Sequence, residues 1–280
     1  MPLLSIITTC KGRLDHLKQT LPSWMNLRDC ECVVVDYDCP QGTGDWVRKT
    51  YPTAKVVRVA DRPNFNRAKA RNLGAGSASA PWFLFIDADV GINSSDLIIR
   101  LLSPGHFFLP SPRPLEAWGT VIMSREDFKQ LDGYDEVFEG WGGEDDDFTW
   151  RLNKLGRRLI TFPGNLLRPL PHEDAVRTQH HEIHDLDVNQ AINALYMIAK
   201  HDLIRQEIPV DIEFRKRLYG DFRRSLLGRK SPHEKSSIHL GFRRTDVGIW
   251  SIRSSLHYDL TVADTADQLQ QAGNRQTDEQ

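Results

Sequence analysis

Four consecutive carboxylates, Glu144-Asp-Asp-Asp147, stand directly behind Trp141-Gly-Gly143. Like charges in a row repel, so a segment with only a structural task seldom concentrates them. Glycine lets backbone approach a neighbour closely. Phe148, Leu152 and Leu155 follow at helical spacing and Gly156 ends the run, which predicts that the carboxylates open a helix. There they can supply a general base and hold polar hydroxyls. Acidic residues also stabilise a helix N-terminus. That plainer account covers one or two of the four and leaves the Trp-Gly-Gly entry unexplained. Crowding among Glu144, Asp145 and Asp146 should raise at least one of their pKa values.

Three further groups of residues invite a chemical reading. Phe83-Leu-Phe-Ile-Asp-Ala-Asp89 sets two carboxylates one residue apart at the end of an apolar run. If a strand continued through them, Asp87 and Asp89 would point the same way. Such hard oxygen ligands suit Mg²⁺ or Mn²⁺, although Asp-x-Asp is also ordinary turn chemistry. Asn64-Phe-Asn-Arg-Ala-Lys-Ala-Arg-Asn-Leu-Gly74 opens a helix, where free backbone N–H groups favour phosphate. Arg67 and Arg71 share a face of that helix, and Phe65 can stack on a base. His172 follows the acidic helix on a loop and can complete a metal site begun by Asp89; His180, His181 and His184 compete for that role.

The elements that must hold these groups alternate. Leu3 to Thr9, Glu31 to Asp36, Ala54 to Val59 and Trp82 to Ile86 read as buried strands, the second with three consecutive valines. Helices are expected over Asp15 to Leu27 (broken or kinked at Pro22), Asp45 to Lys49, and Asn66 to Ala78 with Asn66 as its cap. This alternation implies a doubly wound α/β layer with ligands at the carboxyl ends of the strands. Beyond it, Trp118 to Met123 and Arg157 to Phe162 read as strands, and Ser124 with Asp127 as a helix cap. Val188, Ile192, Leu195, Ala199 and Leu203 mark an amphipathic helix. We expect one domain over residues 1–184, a basic helical extension over 185–260 and a disordered tail over 261–280.

Composition narrows the partners. The 280 residues carry a formal charge of only -2, so no polyanion-binding signature is present and nucleic acid is not expected. No apolar run approaches the roughly 18 residues of a membrane span. The N-terminus reads as a first strand, not a signal peptide, which points to the cytoplasm. Cys10, Cys30, Cys32 and Cys39 match no zinc spacing and are expected to be reduced and mostly buried. Residues 213–230 hold seven basic and two acidic side chains, a net of +5. A solvated helix face is the plain reading; contact with an anionic acceptor or the inner face of a membrane is the sharper one.

In order, Phe-Asn-Arg-Ala-Lys, strand–Asp-x-Asp, Trp-Gly-Gly-Glu-Asp-Asp-Asp and a His resemble the inverting β-1,4-galactosyltransferases and their bacterial relatives, chondroitin-polymerase-type domains included. Ala70-Arg-Asn-Leu-Gly74 is similar to the family 2 glycosyltransferases. The resemblance covers roughly residues 3–175. It implies a GT-A fold, that is, a Rossmann-like nucleotide-binding layer with a mixed central sheet, together with a UDP-sugar donor, a saccharide or glycoconjugate acceptor and Mn²⁺ or Mg²⁺. By the same resemblance, Thr8, Thr9 and Arg13 hold the nucleotide and Asp36 meets the base or ribose. Phe65 and Arg67 face the uridine diphosphate, and Asp87 faces the ribose or sugar; Arg71, on the helix face it shares with Arg67, is a further candidate for the nucleotide-sugar site. Asp89 and His172 ligate the metal. Glu144 holds sugar hydroxyls beside Asp145, the catalytic base, and Asp146 orients the acceptor. Trp141 would then wall one sugar ring. The chain departs from the pattern at Thr8-Thr-Cys-Lys-Gly-Arg13, at the single carboxylate of Asp36-Tyr37, and at Pro169-Leu-Pro171, where the galactosyltransferases carry a metal-binding Met.

Two other classes can be weighed against this. A nucleotidyltransferase needs a Gly-rich basic loop after the first strand, and Thr8-Thr-Cys-Lys-Gly-Arg13 is a faint version of one. A non-catalytic sugar- or nucleotide-binding relative predicts loss of the Asp-x-Asp or of the acidic run, and both are present.

Overall fold

The computed structural model describes residues 1–93, 96–171, 178–228, 236–247 and 250–260. Strands β1 (Leu4–Cys10), β2 (Cys30–Tyr37), β3 (Lys55–Val59) and β4 (Trp82–Phe85) pair in parallel, joined by helices α1 (Leu14–Met25), α2 (Thr43–Thr50) and α3 (Arg67–Ser77). The chain continues through β5 (Val90–Ile92), α4 (Asp96–Leu101), β6 (His106–Ser111), β7 (Val121–Ser124), α5 (Arg125–Gln130), α6 (Glu144–Lys154), β8 (Arg158–Pro163) and β9 (Leu167–Pro169). The main sheet runs β3-β2-β1-β4-β7-β6-β8. β7 enters antiparallel between β4 and β6, so the sheet is mixed. β5 and β9 form a separate antiparallel pair.

Helices on both faces explain why the parallel strands are apolar throughout. Leu4 and Ile6 of β1, Val34 of β2 and Leu84 of β4 pack with Leu17, Leu21 and Trp24 of α1. On the other face Ile7, Val33, Phe83 and Phe85 meet Ala68 and Ala75 of α3 and Phe148 and Leu152 of α6. Gly74 is where α3 presses on the sheet. A Cβ there would lie 2.6 Å from Ile7 and 3.0 Å from Val35. All four cysteines are free, and Cys10, Cys32 and Cys39 are buried.

Several expectations need correction. α1 does not stop at Pro22 but runs on to Met25. Leu21 and Trp24 are fully buried, and the Trp24 indole donates to the Val90 carbonyl at 3.1 Å, which holds the last turn against the break. β4 ends at Phe85, and Asp87 to Val90 form a turn closed by Val90 N–H on the Asp87 carbonyl at 3.0 Å. Strand alternation therefore does not align Asp87 with Asp89. Trp118 precedes β7 rather than starting it, after a short 3-10 turn at Leu115–Ala117.

The chain divides into two units, Met1–Ala194 and Leu195–Gln280. Helix α7 (Leu186–Arg205) begins in the first and ends in the second. In the second unit, α8 (Ile212–Leu227) buries Leu218, Tyr219, Phe222 and Leu226. The Asp211 side chain caps α8 by accepting from Phe214 N–H at 2.7 Å. The extension is not helical to residue 260. β10 (Ser236–Val247) and β11 (Trp250–Leu260) form an antiparallel hairpin. Ile238, Leu240 and Phe242 recur every second residue, a strand period. In the basic stretch, Lys216 pairs with Glu213 at 2.9 Å and Arg224 pairs with Asp221. No helix among the described residues is long and apolar enough to cross a membrane. His172 and the tail beyond residue 260 lie outside the described residues.

Candidate active site

The acidic run occupies the first turn of α6. Gly142 and Gly143 lead into it with φ of 92° and 88°, a left-handed region that favours glycine. Close packing demands glycine here as well. A Cβ on Gly143 would lie 3.0 Å from the Phe138 ring and 3.1 Å from Asn193 Cβ, and one on Gly140 would lie 1.8 Å from Asn189 Oδ1. Asn193 Nδ2 faces the carbonyls of Glu139 (3.0 Å), Trp141 (3.2 Å) and Gly142 (2.7 Å). Sequence reading missed both asparagines. Their signal was two amides four apart on one helix, each within 2% of full burial.

The four carboxylates have four different surroundings. Asp147 is fully buried and accepts from Arg151 Nε at 2.9 Å within its own helix. Asp146 accepts from the Trp118 indole at 2.8 Å, and the Arg113 guanidinium lies 4.2 Å from the Trp118 ring. Glu144 accepts from Arg67 at 2.8 Å, with Arg71 at 3.4 Å. Asp145 accepts from Arg71 at 2.5 Å, and the other arm of that guanidinium reaches Asp87 at 3.2 Å. Burial acts to raise Glu144, but the charges of Arg67 and Arg71 outweigh it and hold Glu144 below the usual carboxylate range. Burial wins at Asp145. Helped by Glu144 and Asp87 and opposed by Arg71, it pushes that carboxyl up to about 7.

Around the ends of β1, β2 and β4 the expected donor residues fall into three groups. Arg67, Arg71 and Asp87 join Glu144 and Asp145 in the buried cluster just described. Arg13 reaches Asp89 at 3.4 Å, and Asp89 is buried. Asp36 stands apart, with its oxygens accepting from the backbone N–H of Cys39 (2.9 Å) and Gly44 (2.8 Å), which ties the turn after β2 to α2. Thr8 and Thr9 are buried at the end of β1. Lys11, between them and Arg13, was overlooked. Its buried ammonium donates to the carbonyls of Tyr37, Asp38 and Arg62 at 3.3, 2.9 and 2.7 Å.

Phe65 meets the edge of Tyr37 at 5.5 Å and stacks on His181 at 6.1 Å. The His180 carbonyl accepts from Phe65 N–H at 2.7 Å, and His180 Nε2 lies 2.1 Å from where a Cβ on Gly12 would be. Burial pushes His181 down to about 4, so its ring is neutral at physiological pH. His184 turns to Thr178 O at 3.1 Å.

Among the described residues no group of three His, Cys, Asp or Glu side chains converges to hold a cation. Asp89 nonetheless fits as one hard oxygen donor. β9 pairs with β5 beside it, and Leu170 N–H donates to the Asp89 carbonyl at 2.8 Å, so the chain passes Asp89 two residues before His172.

Residues 5–102 match the family model for glycosyl transferase family 2, and residues 91–181 match the one for the N-terminal domain of galactosyltransferase. β-1,4-Galactosyltransferase 7 of Drosophila melanogaster is 29% identical over 158 residues, which is 52% of this chain and 48% of that protein. Human β-1,4-galactosyltransferase 4 is 30% identical over 174 residues, 54% and 44% of the two chains. The chain thus spans about half the length of the curated relatives it matches. Among solved structures, the mannosyltransferase PcManGT of Pyrobaculum calidifontis aligns with a TM-score of 0.55 at 17% identity, covering 82% of this chain and 76% of that one. S. aureus TarS 1-349 aligns with a TM-score of 0.56 at 15% identity, covering 81% and 72%. At such identities the likeness is one of fold. Two overlapping family matches and this mixed sheet place a GT-A glycosyltransferase domain over residues 5–181, resembling family 2 in its first half and the β-1,4-galactosyltransferases in its second.

Proposed function

We propose that this protein transfers a sugar from a UDP-sugar to a hydroxyl of a saccharide or glycoconjugate, with inversion, and that Asp145 is the general base. The placement of Asp145 carries the reading. It is buried on the first turn of α6, between the arginines of α3 and the Asp146–Trp118 pair, with its carboxyl near neutral pKa. A base is most effective when its pKa lies close to the working pH.

Arg71 holds Asp145 Oδ1, which leaves Oδ2 to receive a proton. As the acceptor oxygen attacks the anomeric carbon, its proton passes to that oxygen and the bond to the diphosphate breaks on the opposite face. One displacement inverts the centre, so no nucleophile is needed beneath the sugar. Arg67 and the N-terminal amides of α3 stand where negative charge develops on the leaving diphosphate. Trp118 and Asp146 form the acceptor wall, and Asp87 faces the donor sugar. A divalent cation, Mn²⁺ or Mg²⁺, held by Asp89 and His172 would add positive charge beside the diphosphate. Two neighbours in fold support a nucleotide-sugar donor: TarS 1-349 was solved with UDP-GlcNAc, and PcManGT with GDP-Man and Mn²⁺.

The test is UDP release from a panel of UDP-sugars with Mn²⁺, measured with and without saccharide acceptors. Absence of turnover with every donor, together with absence of metal-dependent UDP binding, would sink the reading. Asp145→Asn should lower transfer by about 10³-fold while UDP affinity stays within about twofold.

A further inference from the structure

Arg67 and Arg71 lie one turn apart on α3, but only Arg67 keeps appreciable exposure, 18% of its side chain against 2% for Arg71. Arg71 is enclosed by its partners. One arm of its guanidinium meets Asp145 at 2.5 Å and Glu144 at 3.4 Å, and the other meets Asp87 at 3.2 Å. Its carbon lies 5.0 Å from the centre of the Tyr134 ring. Gly119 abuts the remaining side, since a Cβ there would come within 2.4 Å of Arg71 Nη2. A planar fork committed to carboxylates in this way is held in one orientation.

The support for Arg71 is itself clamped. Asn72, the next residue on α3, accepts from Tyr134 N–H at 2.8 Å and donates to the Tyr134 carbonyl at 2.9 Å. Tyr134 stacks on Phe148 of α6 at 4.1 Å, one turn along the helix from Asp145. The Arg71-Asn72 pair therefore joins α3 to α6 twice, once through Tyr134 and once through the base.

We propose that Arg71 is a positioning residue for Asp145 and not a ligand of the donor diphosphate, with Asn72, Tyr134 and Gly119 holding its guanidinium in place. The proposal rests on the reading of Asp145 as base. It states what Arg71 does there: it fixes the rotamer of Asp145, directs Oδ2 toward the acceptor and favours the ionised form. The charged and titratable groups facing Asp145 are Arg71 and Arg67 of α3, Glu144 of its own helix, Asp87 after β4, and Tyr134 and Arg113 from the loops. Of the cations among them, Arg71 alone touches it.

The experiment compares Arg71→Lys, Arg71→Met and Asp145→Asn in the full chain. It measures UDP binding with Mn²⁺ by calorimetry, kcat and KM for the donor and acceptor found in the panel, and the pH profile of kcat. Arg71→Met should lower kcat about 100-fold, because a base displaced by an ångström loses about that much. UDP affinity should stay within about twofold, and the acidic limb should move to higher pH as the charge opposing protonation is lost. Arg71→Lys should return the limb toward its original position while recovering kcat only in part. Burial without a role at the base would not move that limb. If Arg71→Met fails to fold, the lysine variant decides by the same readouts. UDP affinity about tenfold weaker with kcat unchanged, in either variant, would make Arg71 a donor ligand and overturn the proposal. Asp145→Asn separates the two levels. If that variant is inactive while Arg71→Lys behaves as a donor mutant, only the Arg71 assignment fails; if it keeps turnover, the base reading fails and Arg71 has no base to position.

Discussion

Replacing Asp145 by Asn should stabilise the protein at neutral pH relative to acid while it removes activity. The ordinary carboxyl value of 3.8 is raised to about 7 in the fold, chiefly by burial. Below about pH 3.8 the carboxyl is protonated in both the folded and the unfolded chain, and it contributes nothing. Between 3.8 and 7 the unfolded chain has lost the proton that the fold retains, so stability falls as pH rises through that window. Above about 7 the carboxylate is ionised in both states and the full penalty applies. A shift of about 3 units at about 1.4 kcal/mol each gives at most about 4 kcal/mol. Asparagine carries no such penalty, and Arg71 keeps Asp87 and Glu144 as partners. Glu144 is shifted the opposite way, but it is present in both proteins and largely cancels in the difference. Urea unfolding of metal-free wild type and variant, followed by tryptophan fluorescence between about pH 4.5 and about pH 8, measures this directly. The variant's advantage should grow with pH by about 1–4 kcal/mol. A difference constant to about 0.5 kcal/mol over that range would refute the reasoning, because Asp145 would then not change protonation between the two pH values.

Three other substitutions address the frame around Asp145. Asn193→Ala removes the donor shared by the carbonyls of Glu139, Trp141 and Gly142 and should cost about 2 kcal/mol, read as a lower melting midpoint with reduced kcat. Trp118→Phe keeps an aromatic ring, though a smaller one, and loses the N–H on Asp146, and it should raise acceptor KM about 3- to 10-fold with donor KM unchanged. Asp36→Ala strips the acceptor from the N–H groups of Cys39 and Gly44 and should cost about 1–3 kcal/mol of stability; a large rise in donor KM at unchanged stability would instead mark Asp36 as a nucleotide contact.

The parallel half of the sheet was legible because it obeys local rules. The valines of β2, the apolar run of β4 and the Asn66 cap, whose side chain accepts from Lys69 N–H at 2.8 Å, each specify their element within a few residues. Where the reading failed, distant contacts decided. Burial of Leu21 and Trp24 carries α1 past Pro22. The turn after β4 is also held from afar, by the Thr20 hydroxyl on the Ala88 carbonyl and Leu170 N–H on the Asp89 carbonyl, and it sends Asp87 to Arg71 and Asp89 to Arg13. The β10–β11 hairpin did have a local signal, the alternation around Ile238, which the expectation of a helical extension overrode.

The acidic run was legible in its own residues as a concentration of charge, but its division into roles came only from the family resemblance. A carboxylate's role depends on which cation reaches it, and here the cations come from α3, far away in sequence. Glu144, Asp145 and Asp87 share two guanidinium groups, Arg67 and Arg71. Three negative charges against two positive leave one in excess inside a buried cluster. Glu144 touches both arginines and is held ionised. Asp87 keeps 28% of its side chain exposed, so water shares its charge. Asp145 is buried with contact to one arginine, so the excess is relieved most cheaply by a proton there. Burial first, and this imbalance with it, raises the pKa of the proposed base, and the match between a shortage of cations and the need to accept a proton becomes visible only when α3 and α6 are brought together.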